Sequence, residues 1–368
     1  MRVLIFISDT GAGHRSVAEA IRGELHTQTN GRVECQVVDF FAEFHVPILR
    51  HAPRAYAWLT ANALWFYDAL FVISNNVVVN RCMSWMLSRV VRHRLIEFLE
   101  QSRPDVVISA HPLYVSDALV AARGKTTDFL ILSVVSDLVS PHRSWACPSV
   151  DMCFAPNSTV GDMMIRLGVP RDRVEVSGFP VRKEFLEFHS KALVLDLRRK
   201  LSLGVDSLVV LLSGGGNGAG RIYSITKSLL GFGRGLQVVV LAGRNHRLAR
   251  RIEKNNRESV IVAPSDGNVL DYMIASDLIV GKAGPSTIME SAAVGRPIFL
   301  TKEVGRQEQG NIALAKQMGV GAGVFDGRNL EYALLNFTSV SFDLNAPAEA
   351  LLGARNIAKF VIGHVEAQ

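Results

Sequence analysis

Lys282, Gly284, Pro285, Ser286, Thr287 and Glu290 fall within one short stretch of DLIVGKAGPSTIMESAAVGRPIFLTKEVGRQEQGN, residues 277–311. The apolar run from Leu278 to Val280 predicts a buried strand. Gly281 to Pro285 predicts a tight turn, and a helix is expected from about Ser286 to Val294, stopped by Gly295. The first N–H groups of such a helix have no partner within it and its dipole is positive there, so the turn is built to receive an anion. Lys282 adds a full charge, and a phosphate or diphosphate is expected at Gly284 to Thr287. Glu290 admits two readings. It closes a capping box with Thr287, or it grips the two hydroxyls of a ribose one helical turn beyond the phosphate. In the polar run that follows, Gln307, Glu308, Gln309 and Asn311 could serve sugar hydroxyls or simply form a solvated turn.

A second candidate is His14, in SDTGAGHRS at 8–16. A neutral imidazole at the C-terminal end of a strand can act as a general base near pH 7, and Asp9 is close enough in sequence to orient it. The plainer alternative is a histidine bonded only to its own loop. Gly11-x-Gly13-x-x-Ser16 approaches a dinucleotide fingerprint, with Asp39 where a ribose-binding acid would stand. Ser16 in place of the third glycine, the polar Ser8 and Asp9, and His14 within the loop argue against that use. A glycine-rich loop at 213–220 offers Gly214, Gly215, Gly216, Asn217 and Gly218 for close backbone approach to a ligand. It lacks the GK[ST] of a nucleoside-triphosphate loop. Arg244 follows a further strand. The chain contains no Asp-x-Asp. A leaving diphosphate would therefore be stabilised by N–H groups, a helix dipole and cationic side chains, with no metal and no cofactor expected.

The elements that must position these residues repeat a pattern. Strands are expected at 2–7, 33–40, 105–110, 129–135, 152–156 and 174–180, then at 208–212, 237–241, 260–263, 278–280 and 297–300. Helices fall between them, including one from about Ser16 to Leu25. This is α/β architecture in two halves: a doubly wound parallel sheet in 1–180, a second in 181–345, and a final helix within 346–368 that could cross back to the first half. Each strand run ends in polar residues, among them Asp137, with His142 and Trp145 beyond it.

With 368 residues, 48% of them hydrophobic, the chain can bury two ordinary cores. A net charge of +6 and a pI near 9.2 favour anionic partners. Residues 44–99 differ in kind. They hold Trp58, Trp65 and Trp85 among other aromatics, and between 44 and 95 the six arginines Arg50, Arg54, Arg81, Arg89, Arg92 and Arg94 face one acid, Asp68. Aromatic and basic residues together suit contact with an anionic membrane surface; an ordinary helical hairpin with a wet arginine face is the alternative. No nucleic-acid motif accompanies the charge. Cys35, Cys82, Cys147 and Cys153 lack zinc-ligand spacing and read as reduced thiols. With no leader and no spanning run, the expected location is cytoplasmic, peripheral to the membrane's inner face.

In order along the chain, SDTGAGHRSVAEAIR, AHPL at 110–113, SDL with a following His and Trp at 136–145, VSGFPVRKEF, SGGGNGAG, GRN, KAGPSTIMES and RQEQGN resemble the motifs of monogalactosyldiacylglycerol synthases and the related processive diacylglycerol glucosyltransferases. The likeness runs over about residues 1–325. Gln309 stands where the plant enzymes usually carry Lys, and Ala12 where they tend to carry a third glycine. The resemblance implies a GT-B fold, two Rossmann-like domains facing a cleft. It also implies inverting transfer of galactose or glucose from a UDP-sugar to the sn-3 hydroxyl of diacylglycerol. Carried over, His14 is the base; the 214–220 loop, Lys282, Gly284, Ser286, Thr287 and Glu290 hold UDP, with Gln307 and Glu308 at the hexose. Beside these, Asp9 is expected as the partner of His14, and Gly13, Arg244, Pro285 and Asn311 are expected on the donor side. Trp58, Trp65, Trp85, Asp137, His142 and Trp145 are placed on the acceptor and membrane side. A polyprenyl-linked acceptor, a UDP-sugar epimerase and a nicotinamide enzyme are the competing readings.

Overall fold

The computed structural model describes the chain except residues 10–11, 45–50, 113–114, 127, 217, 219–221, 231–234, 255–258, 265–267, 324–328, 331–333, 335–347 and 367–368. Gly11, Arg50 and Asn217 from the sequence reading lie outside the described residues. By packing, the chain forms two units, Met1–Lys183 with Gly305–Gln307 and Ala348–Gln368, and Glu184–Val304 with Glu308–Pro347.

The first unit is built on strands β1 (Arg2–Ile7), β2 (Glu34–Asp39), β3 (Val106–Ser109), β4 (Leu130–Val134), β5 (Met152–Ala155) and β6 (Val174–Val176). They form one sheet in the order β2-β1-β3-β4-β5-β6, every pair parallel. Its helices are α1 (Ala12–Gln28), α2 (Phe40–Glu43), α3 (Ala52–Asn62), α4 (Leu64–Ser74), α5 (Val77–Ser102), α6 (Val115–Arg123) and α7 (Ser158–Arg166), and the C-terminal helix Gly353–Glu366. β1 and β3 are buried along nearly their whole length, as befits a parallel sheet covered on both faces. α1 turns Val17, Ala18, Ile21 and Leu25 to the core, the spacing of one helix face. It begins at Ala12, four residues before the sequence placed it, so His14 stands in the helix's first turn and not in a loop.

The C-terminal helix packs on α1, and its approach is pinned by backbone bonds from Phe179 N–H to Ala350 O (2.8 Å) and from Gly353 N–H to Phe179 O (3.2 Å). Gly178 takes a φ of +85° against Glu349 and Ala350, where a side chain would collide with backbone.

The second unit carries β7 (Leu208–Ser213), β8 (Leu236–Leu241), β9 (Val260–Val262), β10 (Leu278–Gly281), β11 (Ile298–Leu300) and β12 (Gly321–Gly323) in the order β12-β11-β10-β7-β8-β9, again all parallel. Around it are α8 (Lys183–Leu186), which straddles the junction, α9 (Lys191–Lys200), α10 (Ile222–Leu229), α11 (His246–Lys254), α12 (Val269–Ala275), α13 (Pro285–Ala293) and α14 (Asn311–Gln317). This is the dinucleotide-fold strand order, whereas the first sheet follows the flavodoxin order with a sixth strand added. Each sheet has its own apolar core: Leu4, Phe6, Val107, Ile131 and Leu95 among others in the first, Val210, Val238, Leu278 and Phe299 in the second.

Candidate active site

In a doubly wound sheet, successive connections go one way from the first strand and then the other. The two loops that part at that switch leave a crevice beyond the strands' C-terminal ends. In the first unit the switch lies between β1 and β3. β1 leads into the turn that ends in His14, and β3 into His111. The two imidazoles meet edge to face, ring centroids 4.5 Å apart at 66°. Ser136, just beyond β4, puts its Oγ 3.2 Å from His14 Nδ1. Trp145 lies 6.2 Å from the His14 ring, is fully buried, and donates its indole N–H to Asp137 Oδ2 at 2.7 Å. His14 itself is half-buried.

Asp9 has a different bonded neighbour from the one expected of it. Both its oxygens are taken by the Arg15 guanidinium, at 2.9 and 2.7 Å, and its own N–H donates to Asp39 Oδ2. That fork explains why the Arg15 pKa is raised: the bonded carboxylate favours the cation. Asp39 caps α2 through Phe41 and Ala42 N–H, so the acid that ends β2 is a capping residue.

Asp137, His142 and Trp145, assigned by sequence to the acceptor and membrane side, are interior groups. His142 caps a short 3-10 turn by accepting from Ser144 N–H. Its ring meets Phe71 edge to face, and its Nε2 is 3.1 Å from Ser74 Oγ. Burial pushes its pKa down to about 4. Asp137 accepts from the Trp145 indole and, at 3.2 Å, from the Gln307 amide, whose Oε1 in turn accepts from Tyr67 OH at 2.7 Å. Gln307 thus groups with the first unit and Glu308 with the second.

Trp58, Trp65 and Trp85 do lie outside, at 60%, 75% and 61% exposure. Around them Phe66, Leu70, Val72, Ile73, Val78, Met86 and Val90 are exposed too. α4 buries none of its residues, although it is the most apolar helix of the unit by composition. α5 buries Leu87, Val91, Leu95 and Leu99 at four-residue spacing and leaves Trp85 and Met86 outside, with the Arg89 guanidinium 4.6 Å above the Trp85 ring. No helix among the described residues is long and apolar enough to cross a membrane.

In the second unit the switch lies between β7 and β10. Ser213 and Gly281 end those strands in register. Beyond them Gly215, at φ +64°, comes within van der Waals reach of the Lys282 side chain. Gly218 and Gly243, both at positive φ, close the turn against Ala242 O and Gly216 O, and Arg244 N–H donates to Gly216 O at 2.9 Å. Gly214, Gly215, Gly216 and Gly218 therefore form one backbone-walled turn beside Lys282. α13 begins at Pro285 with Gly284 as its cap residue and no side-chain capping bond. Thr287 is then the helix's third residue, which removes the capping box: Glu290 is too far along to close one.

Lys282 Nζ meets Glu308 Oε1 at 2.6 Å, and Glu308 Oε2 accepts from Val304 N–H at 2.8 Å. The pair is largely buried, the two side chains 19% and 5% exposed. Asn311 is wholly buried and donates Nδ2–H to Ala283 O, holding the turn before α13 from below. Sequence reasoning missed His111 and Ser136. Both sit in motifs it had singled out, AHPL and SDL, but nothing in one sequence says that two strand ends roughly a hundred residues beyond His14 converge on its ring.

The cysteines are free thiols, and burial pushes Cys35, Cys147 and Cys153 up to about 12.

Residues 14–181 match the monogalactosyldiacylglycerol synthase family model, and 209–320 the family 28 glycosyltransferase C-terminal domain. A chloroplastic monogalactosyldiacylglycerol synthase 2 of Arabidopsis thaliana is 31% identical, over 88% of this chain and 70% of its own length. A probable chloroplastic monogalactosyldiacylglycerol synthase of Glycine max is 30% identical, over 87% and 62%. The spinach enzyme is 31% identical over 87% and 63%, so the chain spans less than two thirds of these last two relatives. Among solved structures, a UDP-GlcNAc 2-epimerase from Neisseria meningitidis bound to UDP-GlcNAc superposes with a TM-score of 0.62 at 16% identity, with full coverage of both chains. An Anabaena protein in complex with UDP-glucose does so at 0.57 and 14%, again with full coverage of both. At that distance the likeness speaks for the GT-B fold alone. With its amino-terminal match beginning at His14, the chain belongs to the monogalactosyldiacylglycerol synthase family.

Proposed function

We propose that this protein transfers a hexose, galactose or glucose, from its UDP donor to the sn-3 hydroxyl of diacylglycerol at a membrane surface, with inversion and without a metal. His14 takes the proton of the lipid hydroxyl. The freed oxygen pair forms the bond to C1 of the α-linked donor as the C1–O bond to UDP breaks, giving a β-glycoside. UDP is a good leaving group, and its charge is met by the α13 N–H groups and Lys282. The first unit supplies the base, the lipid-facing helices and Gln307, the second the other groups for the donor. Glu290 serves the ribose, Glu308 and Gln307 the hexose.

One observation carries the lipid acceptor over a soluble reaction such as UDP-sugar epimerisation: the many large apolar side chains left exposed on α4 and α5, with Trp58 on α3. Clustered exposed apolar side chains such as Trp65, Phe66, Leu70, Val72 and Ile73 mark a contact surface, and a bilayer interface accepts tryptophans and flanking arginines. The test is a donor screen with labelled UDP-galactose, UDP-glucose and UDP-GlcNAc on vesicles containing diacylglycerol, with products separated by thin-layer chromatography. Label in a monoglycosyldiacylglycerol, unchanged by EDTA, is the expected result. Label that stays in the nucleotide-sugar pool, or passes only to a polyprenyl acceptor, ends the proposal.

A further inference from the structure

A histidine that removes a proton needs one ring nitrogen without hydrogen and the other protonated, and the structure shows which groups surround the His14 ring. Ser136 is buried, and its Oγ lies 3.2 Å from His14 Nδ1. His111 is 3% exposed and faces the carbonyl of Pro112 with its own Nδ1 at 3.2 Å. A carbonyl oxygen only accepts, so that nitrogen carries the hydrogen. Burial, reinforced by the neighbouring His14, drives the His111 pKa well down, so His111 is a neutral ring. Its edge-to-face contact with His14 is backed by Phe41, whose ring meets His111 at 5.8 Å and 82°. On another side of His14 stands the buried Trp145 ring.

We infer that Ser136 and His111 are positioning residues for His14: the Ser136 oxygen accepts the Nδ1 hydrogen, leaving Nε2 bare for the acceptor hydroxyl, and the His111 ring fixes the plane in which Nε2 points. The inference rests on His14 being the base. In the step itself the lipid O–H bond breaks and its proton goes to Nε2, and the oxygen keeps the electron pair that bonds C1. The imidazolium then holds its Nδ1 hydrogen on Ser136 until Nε2 returns its proton to water. A ring free to rotate or to exchange tautomers would present N–H to the substrate part of the time. Misplacing a reacting group by a single ångström is enough to slow a reaction roughly 100-fold.

The experiment uses the full chain labelled with ¹⁵N-histidine, in which two-bond proton–nitrogen correlations report the tautomer of each ring directly. His14→Gln identifies the His14 signals. Wild type is expected to show Nδ1–H at His14, and Ser136→Ala a mixture of tautomers. With UDP-hexose and diacylglycerol, Ser136→Ala should lose roughly 10–100-fold in kcat with little change in KM for the donor, and Ser136→Thr should recover most of it. His111→Phe keeps an aromatic edge and should keep most turnover, whereas His111→Ala should lose as much as Ser136→Ala; thermal melts confirm that each is folded. An unchanged tautomer and kcat in Ser136→Ala, or equal losses in folded His111→Phe and His111→Ala, overturn the inference while leaving the base reading intact. Wild-type turnover in His14→Ala would overturn the base reading, and this inference with it, whatever the spectrum shows.

Discussion

The two switch points are the same construction filled with opposite chemistry. Each presents a helix just past a buried strand, α1 after β1 and α13 after β10. The third residue of α1 is His14, and the third of α13 is Thr287. Around His14 gather buried rings and a hydroxyl, His111, Trp145 and Ser136, with Asp9 and Arg15 turned to each other in a partly exposed ion pair. Around Gly284, the cap residue of α13, gather the Lys282 ammonium and the buried Glu308 carboxylate, with Gly215 beside the same lysine. The first environment suits a group that must gain and lose a proton, since a neutral imidazole costs little to bury. The second suits an anion, since N–H groups and Lys282 offer fixed positive charge. One topology therefore provides the place twice, and the side chains after each strand decide what the place can do.

Removing the centre of the first environment is expected to have the largest effect. His14→Ala should cut kcat by roughly 10²–10⁴-fold while UDP affinity stays at the wild-type value by titration calorimetry. A variant that lost UDP binding in proportion would erase the division of labour between the two switch points.

The second environment should respond in stability as well as in rate. Lys282→Met strands Glu308, nearly buried and carrying a charge that, among the described residues, only Val304 N–H would still oppose. A buried ion left without its partner typically costs about 3–5 kcal/mol. Adding Glu308→Gln should give much of that back, because the charge goes with it, yet the double variant should still bind UDP poorly. Chemical denaturation measures the first effect and calorimetry the second. Equal stability of the single and double variants would mean that the pair is solvated in solution.

The sequence showed the scaffold well because the scaffold is written locally. Apolar runs ending in glycine or polar residues marked eleven of the twelve strands found among the described residues; β12, Gly321–Gly323, has no such run and was not expected. The turn at Gly281 to Pro285 was legible from residue types alone. It did worse wherever a side chain's fate depends on partners distant in sequence. Asp9 was paired with His14 because it is near in the chain, but both its carboxylate oxygens are bonded by Arg15. Trp145, in the loop after β4, was placed on the same acceptor and membrane side as Trp58, Trp65 and Trp85, and yet it is core while they are surface. Periodicity separates those cases only on a helix, and Trp145 stands in a short 3-10 turn. The capping box at Thr287 and Glu290 failed for a subtler reason: Pro285 can occupy the first helical position, which starts α13 earlier than the motif requires.

Acid should find a weak point beside the first environment. His142 has a folded pKa of about 4 against an ordinary 6.5 because burial disfavours its charged form. As pH falls, the unfolded chain takes up this proton first. His142 therefore stabilises fully above pH 6.5, and the contribution, on the order of 3 kcal/mol, is lost between there and about pH 4. Asp117, raised to about 6 chiefly by burial, works in the opposite sense: its contribution is full in acid and is lost as pH rises through 6. The two are separated by substitution. His142→Asn should be less stable than wild type at pH 7.5 and should close the gap by pH 4.5 in urea melts at each pH. A gap that stayed constant with pH would show that His142 matters only through its bonds to Ser144 and its packing on Phe71.

The smallest effect tests where the two helices part company. The sixth residue of α1 is Val17, which is core; the sixth of α13 is Glu290, a half-buried acid among the buried Ile288, Met289, Ser291 and Ala292. A carboxylate at that position contributes nothing to a cap, since the cap residue is Gly284, six places earlier. If Glu290 were structural through a capping box, Glu290→Ala would cost about 1 kcal/mol in the melt and leave the donor alone. The geometry of α13 removes that route, and the ribose reading predicts the reverse: a melting curve close to wild type and a UDP affinity weaker by about tenfold, the worth of one hydrogen bond to a charged group. Because that bond would be to the ribose hydroxyls, 2′-deoxy-UDP should already bind wild type more weakly than UDP and should lose little further in the variant. Additive losses from the variant and the deoxy nucleotide would place the ribose elsewhere and return Glu290 to a part in the packing of α13.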